Sequence, residues 1–359
     1  MTPRVSGRAS VIVPCFNGAR YLHEALESAL VQTHDDVEIV VTDDGSSDDS
    51  AAIAASYGPR VRCLQQGNAG PSAARNRALD GASGEYVALL DADDRYHPTK
   101  LATQIAVLRE QPDVGVVYCG WRLVDEAGRE LPERGWPRVE GDLLERLLLG
   151  NLFHPVSVVL RRSVIDAVGG FDVRCPVNED WDLFLRVSRA GARWAYVDET
   201  LCDYRIHPGQ SHERLTLVHD VARSILARFF ADATLPDTIR RLEPAAAEQA
   251  DLRAAAEFFA AGVRDEGADA FRRAIARRPD LLGESRSMLR FLRMVLPDGH
   301  RHRTELVLRR GELIRVLAGA LEHGATTIGQ KGRALGTLAS VAVRLHWRAF
   351  RGSTEQRLT

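Results

Sequence analysis

Apolar positions along the chain alternate between two rhythms. Ser10-Val11-Ile12-Val13 is a short apolar run, which predicts a buried strand stopped by Pro14. Leu22, Ala25, Leu26, Ala29 and Leu30 then recur at i, i+3, i+4, i+7 and i+8, which predicts a helix with one buried face. Val37–Val41 predicts a second strand, and Ser47 or Asp48 caps an Ala-rich helix after it. Arg60–Gln65 reads as a third strand, Gly70-Pro71-Ser72 opens a helix, and Tyr86–Leu90 is a fourth strand. Pro98 starts a helix with Leu101, Ile105 and Leu108 inward, and Val114–Tyr118 is a fifth strand. This spacing implies βαβ crossovers: an α/β fold with a mostly parallel sheet flanked by helices.

The rhythm loosens after Trp121. Asp142–Leu149 predicts a helix, Val156–Leu160 a strand, and Ser163–Val168 a short helix ended by Gly169-Gly170. Asn178-Glu179-Asp180 caps a helix whose Trp181, Phe184, Leu185 and Ser188 share a face, and Trp194–Val197 and Leu201–Arg205 predict two short strands. From Leu215 the pattern is helical, with a helical hairpin over Ala254–Phe259 and Ala270–Pro279.

Composition changes this picture little. The 359 residues are 45% hydrophobic and 27% charged, which is ordinary for a globular chain with room for a second, smaller domain. The net charge of −2 hides a basic C-terminal stretch: Arg301–Arg351 holds ten Arg or Lys against three Glu. Such a stretch suits an anionic membrane surface, a nucleic acid or a partner protein, and the apolar run from Ala334 to the basic, aromatic end at Trp347-Arg348 suits either peripheral membrane contact or a helix packed on the protein with its arginines solvated. Five scattered cysteines without a CxxC pair argue against a disulfide framework or structural zinc and for a reducing cytoplasm. The N-terminus lacks the apolar core of a signal peptide, and no stretch is long and apolar enough to span a bilayer.

The chemistry concentrates at strand ends. The run from Glu85 to Leu90 ends in Asp91-Ala92-Asp93-Asp94, and a strand buried on both faces cannot carry that charge, so the acids sit just beyond its end. They read either as a site for Mg²⁺ or Mn²⁺, which prefer oxygen ligands, or as a cap cluster before the Pro98 helix. In parallel sheets, ligands bind outside the carboxyl ends of the strands, which puts Pro14–Asn17, Asp43-Asp44 and Asp91–Asp94 on one rim. Asp44 could accept the ring N–H of a nucleobase or simply make a turn. Arg75, one turn into a helix, could clamp a phosphate, pin Asp44 or lie on the surface. Glu179-Asp180 is a cap or a general base, because adjacent acids raise one another's pKa. His207 could be a metal ligand, a phosphate contact or neither.

Together these residues resemble a known family. Val11-Ile12-Val13-Pro14-Cys15-Phe16-Asn17, Asp43-Asp44-Gly45-Ser46, Gly70–Asn76, Asp91-Ala92-Asp93-Asp94, Gly170-Phe171-Asp172, Glu179-Asp180-Trp181 and Tyr204-Arg205-Ile206-His207 stand in the order seen in family 2 glycosyltransferases of the GT-A fold. The resemblance covers roughly Ser10–Ser211. It implies a GT-A-like catalytic domain over 1–214 and a helical region over 215–359 with a packing, acceptor or membrane-surface role. It implies inverting transfer of a sugar from a nucleotide-sugar donor, UDP- or dTDP-linked, to a hydroxyl in surface polysaccharide or glycolipid synthesis. Pro14, Phe16, Asn17, Asp43, Asp44, Arg75, Asp91 and Ala92 are then expected around the donor, with Asp93, Asp91 and His207 on the metal and Asp180 as base. The acceptor is expected to be a carbohydrate or a lipid-linked molecule, and no nucleic-acid partner is expected. Two other readings compete. A nucleotidyltransferase would carry a basic Gly-rich loop after the first strand, which Cys15-Phe16-Asn17-Gly18 lacks; a non-catalytic binding protein has no need of Asp91, Asp93 and Asp180 together.

Overall fold

The structure is a computed structural model and is described for residues 4–132, 136–210 and 214–278. The basic stretch 301–351, its membrane-surface reading and the helices expected beyond Arg278 lie outside those residues. The chain divides into two units, Met1–Ile225 and Leu226–Thr359.

In the first unit the chain runs β1 (Val5–Cys15), α1 (Ala19–Leu30), β2 (Val37–Asp43), α2 (Ser50–Ser56), β3 (Arg62–Gln65), α3 (Pro71–Gly81), β4 (Gly84–Leu89), β5 (Arg95–Tyr96) and α4 (Lys100–Glu110). It continues through β6 (Val114–Val124), α5 (Leu144–Leu148), β7 (Val158–Arg161), α6 (Arg162–Ala167), α7 (Glu179–Arg189) and β8 (Arg193–Arg205). Among the described residues the strands form one sheet in the order β3-β2-β1-β4-β7-β6-β8-β5. The β3-β2-β1-β4 half is parallel throughout, so four carboxyl ends share one rim. β7 then runs antiparallel to both β4 and β6, β6 pairs parallel with β8, and β5 closes the edge antiparallel to β8. The result is a mixed α/β sheet flanked by helices.

Helices pack where the 3.6-residue pattern put them. Leu22, Ala25 and Leu26 of α1 and Leu101, Ile105 and Leu108 of α4 are fully buried, each large side chain contributing roughly 1.5–3 kcal/mol by leaving water.

Pro14 does not stop β1. Leu90 N–H bonds the Ile12 carbonyl and Asp44 N–H bonds that of Cys15, so from Ser10 onward the even-numbered residues of β1 turn their backbone groups to β4. Pairing with β4 ends at Ile12, and the missing donor of Pro14 falls where no partner needs it. The expected strands Trp194–Val197 and Leu201–Arg205 are one long strand, β8, whose register against β6 shifts near Gly120. The expected strand at Val156 begins as a 3₁₀ turn, Pro155–Ser157, before β7. Arg95–Tyr96, too short for any periodicity, is a strand only because β8 pairs with it.

α8 (Leu215–Phe230) carries the chain past Ile225 into the second unit, where α9 (Asp237–Arg240), α10 (Glu243–Ala260) and α11 (Arg264–Arg277) follow. α10 and α11 form the expected hairpin around buried Ala255, Phe258, Phe271 and Ala274. Asp251, buried within it, is neutralised by Arg273 at 2.8 Å and Arg277 at 3.3 Å.

Candidate active site

The loops leaving the parallel rim lock onto one another. Asn17 takes a left-handed backbone (φ 52°), which Asn tolerates better than most residues. Its Oδ1 accepts the Ser47 N–H at 2.8 Å, and its own N–H donates to Ser46 Oγ at 2.9 Å. Beside it Pro14 is half-buried, while Phe16 is 52% exposed and free to meet a flat ligand. Ala92 packs from the acid loop against Gly18, where a methyl group would lie 3.1 Å from the Ala92 Cβ. Asp44 holds the turn ahead of α3: its Oδ1 accepts from Gln66 Nε2 and the Ala69 N–H, and its Oδ2 from the Gly70 N–H. Both oxygens of Asp44 are therefore engaged. Asp43, buried beside it, keeps an Oδ1 without a hydrogen bond among the described residues.

Arg75 turns to neither solvent nor Asp44. Its guanidinium is buried and bridges two acids, with Nη2 on Asp91 Oδ1 at 2.5 Å and Nη1 on Glu179 Oε1, above the Phe171 ring at 5.5 Å. Phe171 is fixed by reciprocal bonds with Asn76 of α3, Phe171 N–H to Oδ1 and Nδ2 to the Phe171 carbonyl, both at 2.8 Å. A Cβ at Gly170 would sit 2.7 Å from that Oδ1, on a backbone with φ of 80°. These bonds join the Gly70–Asn76 and Gly170-Phe171-Asp172 stretches in space.

The acid loop follows β4. Asp93 Oδ2 accepts from His207 Nε2 at 2.9 Å and Gln210 Nε2 at 3.4 Å. Asp94 is buried; its Oδ1 accepts the Arg205 N–H at 2.9 Å, and its Oδ2 has no partner among the described residues. Buried Arg205 pins the loop from behind, donating through Nε to the Asp93 carbonyl and through Nη2 to Glu24, with its guanidinium over Tyr21. Desolvation and the charges of Asp93 and Glu179 lift Asp91 to about 6 against the pull of Arg75. Burial and the neighbouring Asp93 and Asp91 push Asp94 well above the carboxylate range. The bond to Asp93 raises His207.

Asp180 lies in the first turn of α7, 8% exposed. Burial and adjacent Glu179 raise it to about 7, opposed by a 2.8 Å bond from Asn151 Nδ2 and by the charge of Arg75. A buried carboxylate near neutrality can take a proton at pH 7, as a general base requires. Asn178, expected to cap α7, adopts a left-handed backbone and makes no capping side-chain bond; its Nδ2 goes to the Val218 carbonyl.

Residues 10–169 match the model of "Glycosyl transferase family 2". Over that stretch, just under half of the chain, the sequence is similar to that family. An uncharacterized glycosyltransferase of Rickettsia prowazekii is 34% identical over 209 residues, 56% of this chain and 65% of that protein. The chain thus spans just under two thirds of this relative's length. The crystal structure of S. aureus TarS 1–349 in complex with UDP-GlcNAc superposes with a TM-score of 0.58 at 22% identity, covering 86% of this chain and 89% of that one. The Pyrobaculum calidifontis mannosyltransferase PcManGT in complex with GDP-Man and Mn²⁺ gives 0.55 at 18% identity, covering 95% and 88%. At these identities the two structures establish the fold.

The structure joins Asp93 to His207 and Asp91 to Arg75, and the Arg75 bridge links Asp91 to the residue preceding Asp180. Carboxylates beside an imidazole, next to a partnerless buried oxygen of Asp94, are a donor set that suits a hard divalent cation. Asp172, Cys175 and Asp182 also bring ligand atoms within 4.8 Å of one another, but Arg174 and Arg186 neutralise the two acids. Sequence reasoning missed Asn151 and Gln210 as partners of site carboxylates. Gln210 follows the quoted His207 closely enough to have been suspected; Asn151 sits in a loop without a motif.

Proposed function

We propose that the protein is a metal-dependent, inverting glycosyltransferase that moves a sugar from a nucleotide-sugar donor to a hydroxyl. The observation that carries this reading is Arg75, one buried cation that joins the acid loop, through Asp91, to the helix end bearing Asp180, through Glu179. Such a bridge holds a leaving-group side and a base side in fixed relation, which an in-line displacement needs.

In this reading the nucleoside lies along Pro14, Phe16, Asn17 and the Asp43-Asp44 pair. The open acceptor of Asp43 is better suited than engaged Asp44 to take a base N–H. The family match and the UDP-GlcNAc and GDP-Man complexes of the structural neighbours support a nucleotide-sugar donor. Asp91, Asp93 and His207 would hold Mg²⁺ or Mn²⁺, which supplies positive charge against the diphosphate when bound. The acceptor oxygen attacks the anomeric carbon while its proton passes to Asp180. The bond from that carbon to the diphosphate breaks, and its electron pair leaves with the diphosphate. Asp180 lies opposite the leaving group in this scheme, so no covalent intermediate forms and the anomeric configuration inverts.

For the acceptor, a growing surface polysaccharide or glycolipid follows from the family resemblance. Peripheral contact with the cytoplasmic face of a membrane follows from the basic sequence 301–351. No helix among the described residues is long and apolar enough to cross a membrane. The donor reading is tested by thermal shift with UDP-, dTDP- and GDP-sugars, with and without Mg²⁺ or Mn²⁺. One nucleotide class should stabilise the protein only with metal, by about 2.7 kcal/mol at a hundredfold excess over Kd. No stabilisation by any combination overturns it.

A further inference from the structure

Asp180 has one direct side-chain hydrogen-bond donor among the described residues, Asn151, which holds its Oδ2; the backbone N–H of Trp181 also favours the charged form. Asn151 lies just past the end of α5, after Gly150, whose φ of 144° is open to glycine and strained for other residues. Its amide cannot be turned around without loss. Oδ1 accepts the backbone N–H of Phe153 at 3.3 Å, which leaves Nδ2 to face Asp180 Oδ2 at 2.8 Å. The support behind it is rigid. Phe153 is buried and stacked on Trp194 at 4.8 Å and 19°. The end of α5 is tied to the base helix by Trp181 Nε1, which donates to the Leu147 carbonyl at 2.8 Å.

We propose, resting on the glycosyltransferase reading above, that Asn151 is a positioning residue for the general base. By occupying Oδ2 of Asp180 with a fixed donor, it leaves Oδ1 as the oxygen that receives the acceptor's proton. The bond also favours the ionised carboxylate, because an amide N–H donates more strongly to a charged than to a neutral oxygen. The groups that face Asp180 divide in sign. Glu179 on its own helix and burial favour the protonated form; Asn151 and Arg75 of α3 favour the charged form, and Tyr204 of β8 is electrostatically coupled to it. Arg75 is already shared between two acids, which leaves Asn151 as the one direct side-chain donor to Asp180 among the described residues.

Asn151→Asp isolates the contact. It keeps an oxygen for the Phe153 N–H and replaces the donor to Asp180 with a second carboxylate. Release of nucleoside diphosphate is followed from about pH 5.5 to about 9.5, a range that brackets the ionisation of the base, with Mn²⁺ and UDP-GlcNAc, or a dTDP- or GDP-linked sugar if that is the donor turned over, and water as acceptor. Asn151→Asp should lower kcat at pH 7 by about tenfold to a hundredfold and move its acidic limb up by about one pH unit or more, with recovery at high pH. The KM for the donor should stay within about threefold. Asn151→Ala, which removes both bonds, serves if the aspartate variant fails to fold; it should lower kcat and move the limb upward by less.

A loss of kcat that is equal at every pH in both variants, or unchanged kinetics, overturns the positioning role. A wild-type protein that turns over no UDP-, dTDP- or GDP-linked sugar at any pH overturns the glycosyltransferase reading itself, and that result is separate because it precedes any variant.

Discussion

The donor rim and the base side of the candidate site are brought together by different routes. On the rim, Pro14–Asn17, Asp43-Asp44 and Asp91–Asp94 each follow directly from the end of a parallel strand, so adjacency in the sheet alone brings them together. On the base side, Asp180 stands at the start of a helix, and its neighbours come from far along the chain: Arg75 of α3, and Asn151 after α5. Strand ends give a site its place, whereas long-range polar contacts give it its protonation state. Arg75 is the point where the two routes meet, and the variants that follow separate them.

The largest effect is expected on the base side. Asp180→Asn should reduce transfer by about a thousandfold or more while donor affinity in calorimetric titration stays close to wild type. The same variant should be more stable. The folded pKa of Asp180, about 7, lies above the ordinary value of 3.8, so between those values the native state binds more protons than the unfolded chain, and stability falls as pH rises through that window. Removing the charge should therefore raise Tm at pH 8 by about 2–4 °C, with the gain fading toward pH 4. Normal turnover, or a Tm difference independent of pH, would contradict the assignment. In the wild type the same ionisation predicts a kcat that falls about tenfold per unit below pH 7.

On the rim, Asp93→Ala should abolish metal-dependent donor binding and leave the fold intact, since Asp93 is partly exposed and its Oδ2 partners, His207 and Gln210, lie in an accessible loop. Calorimetry with donor and Mn²⁺ is the check; an unchanged heat of binding would remove Asp93 from the metal set. Transfer should fall with binding, in contrast to Asp180→Asn, where the two separate.

Arg75→Met strikes the junction and should disturb both sides. It leaves Asp91 and Glu179 without their shared cation in a buried setting, and breaking such a pair typically costs about 3–5 kcal/mol. Urea denaturation should show that loss, and transfer should fall together with donor binding. If stability dropped but kcat and KM were both preserved, the bridge would be structural alone.

What could be read in advance follows the same division. The strands and helices of the rim announce themselves because each buries a continuous run or a 3.6-residue stripe, as in Val11–Val13 and Leu22–Leu30. The acids of Asp91–Asp94 were legible because charge cannot stay inside a sheet buried on both faces. The base side was legible only as motifs. Nothing local to Asn151 says that its amide meets Asp180, and nothing local to Arg75 says that it faces two acids and not a phosphate. Pro14 was misjudged because proline breaks a strand only where its missing N–H has a partner, and partners are a property of the sheet.

The smallest expected effect tests whether the rim loops owe their shape to one another. Asn17 joins the β1 loop to the β2 loop through its Oδ1 and pays a left-handed backbone to do so. Asn17→Gly relieves that conformation but deletes the bonds to Ser47, and the two changes oppose each other, leaving a net loss of about 1 kcal/mol or less. Asn17→Ala loses the bonds without relieving the backbone and should cost about 1 kcal/mol more than the glycine variant. Neither should move the pH dependence of kcat, because the Asn17 side chain bonds to the Ser47 side of the rim and Asp180 is held by Asn151. Donor KM should rise several-fold in both, since Phe16 is carried by the same turn. A shift of the acidic limb in either variant would mean that the rim and the base side are coupled by more than Arg75.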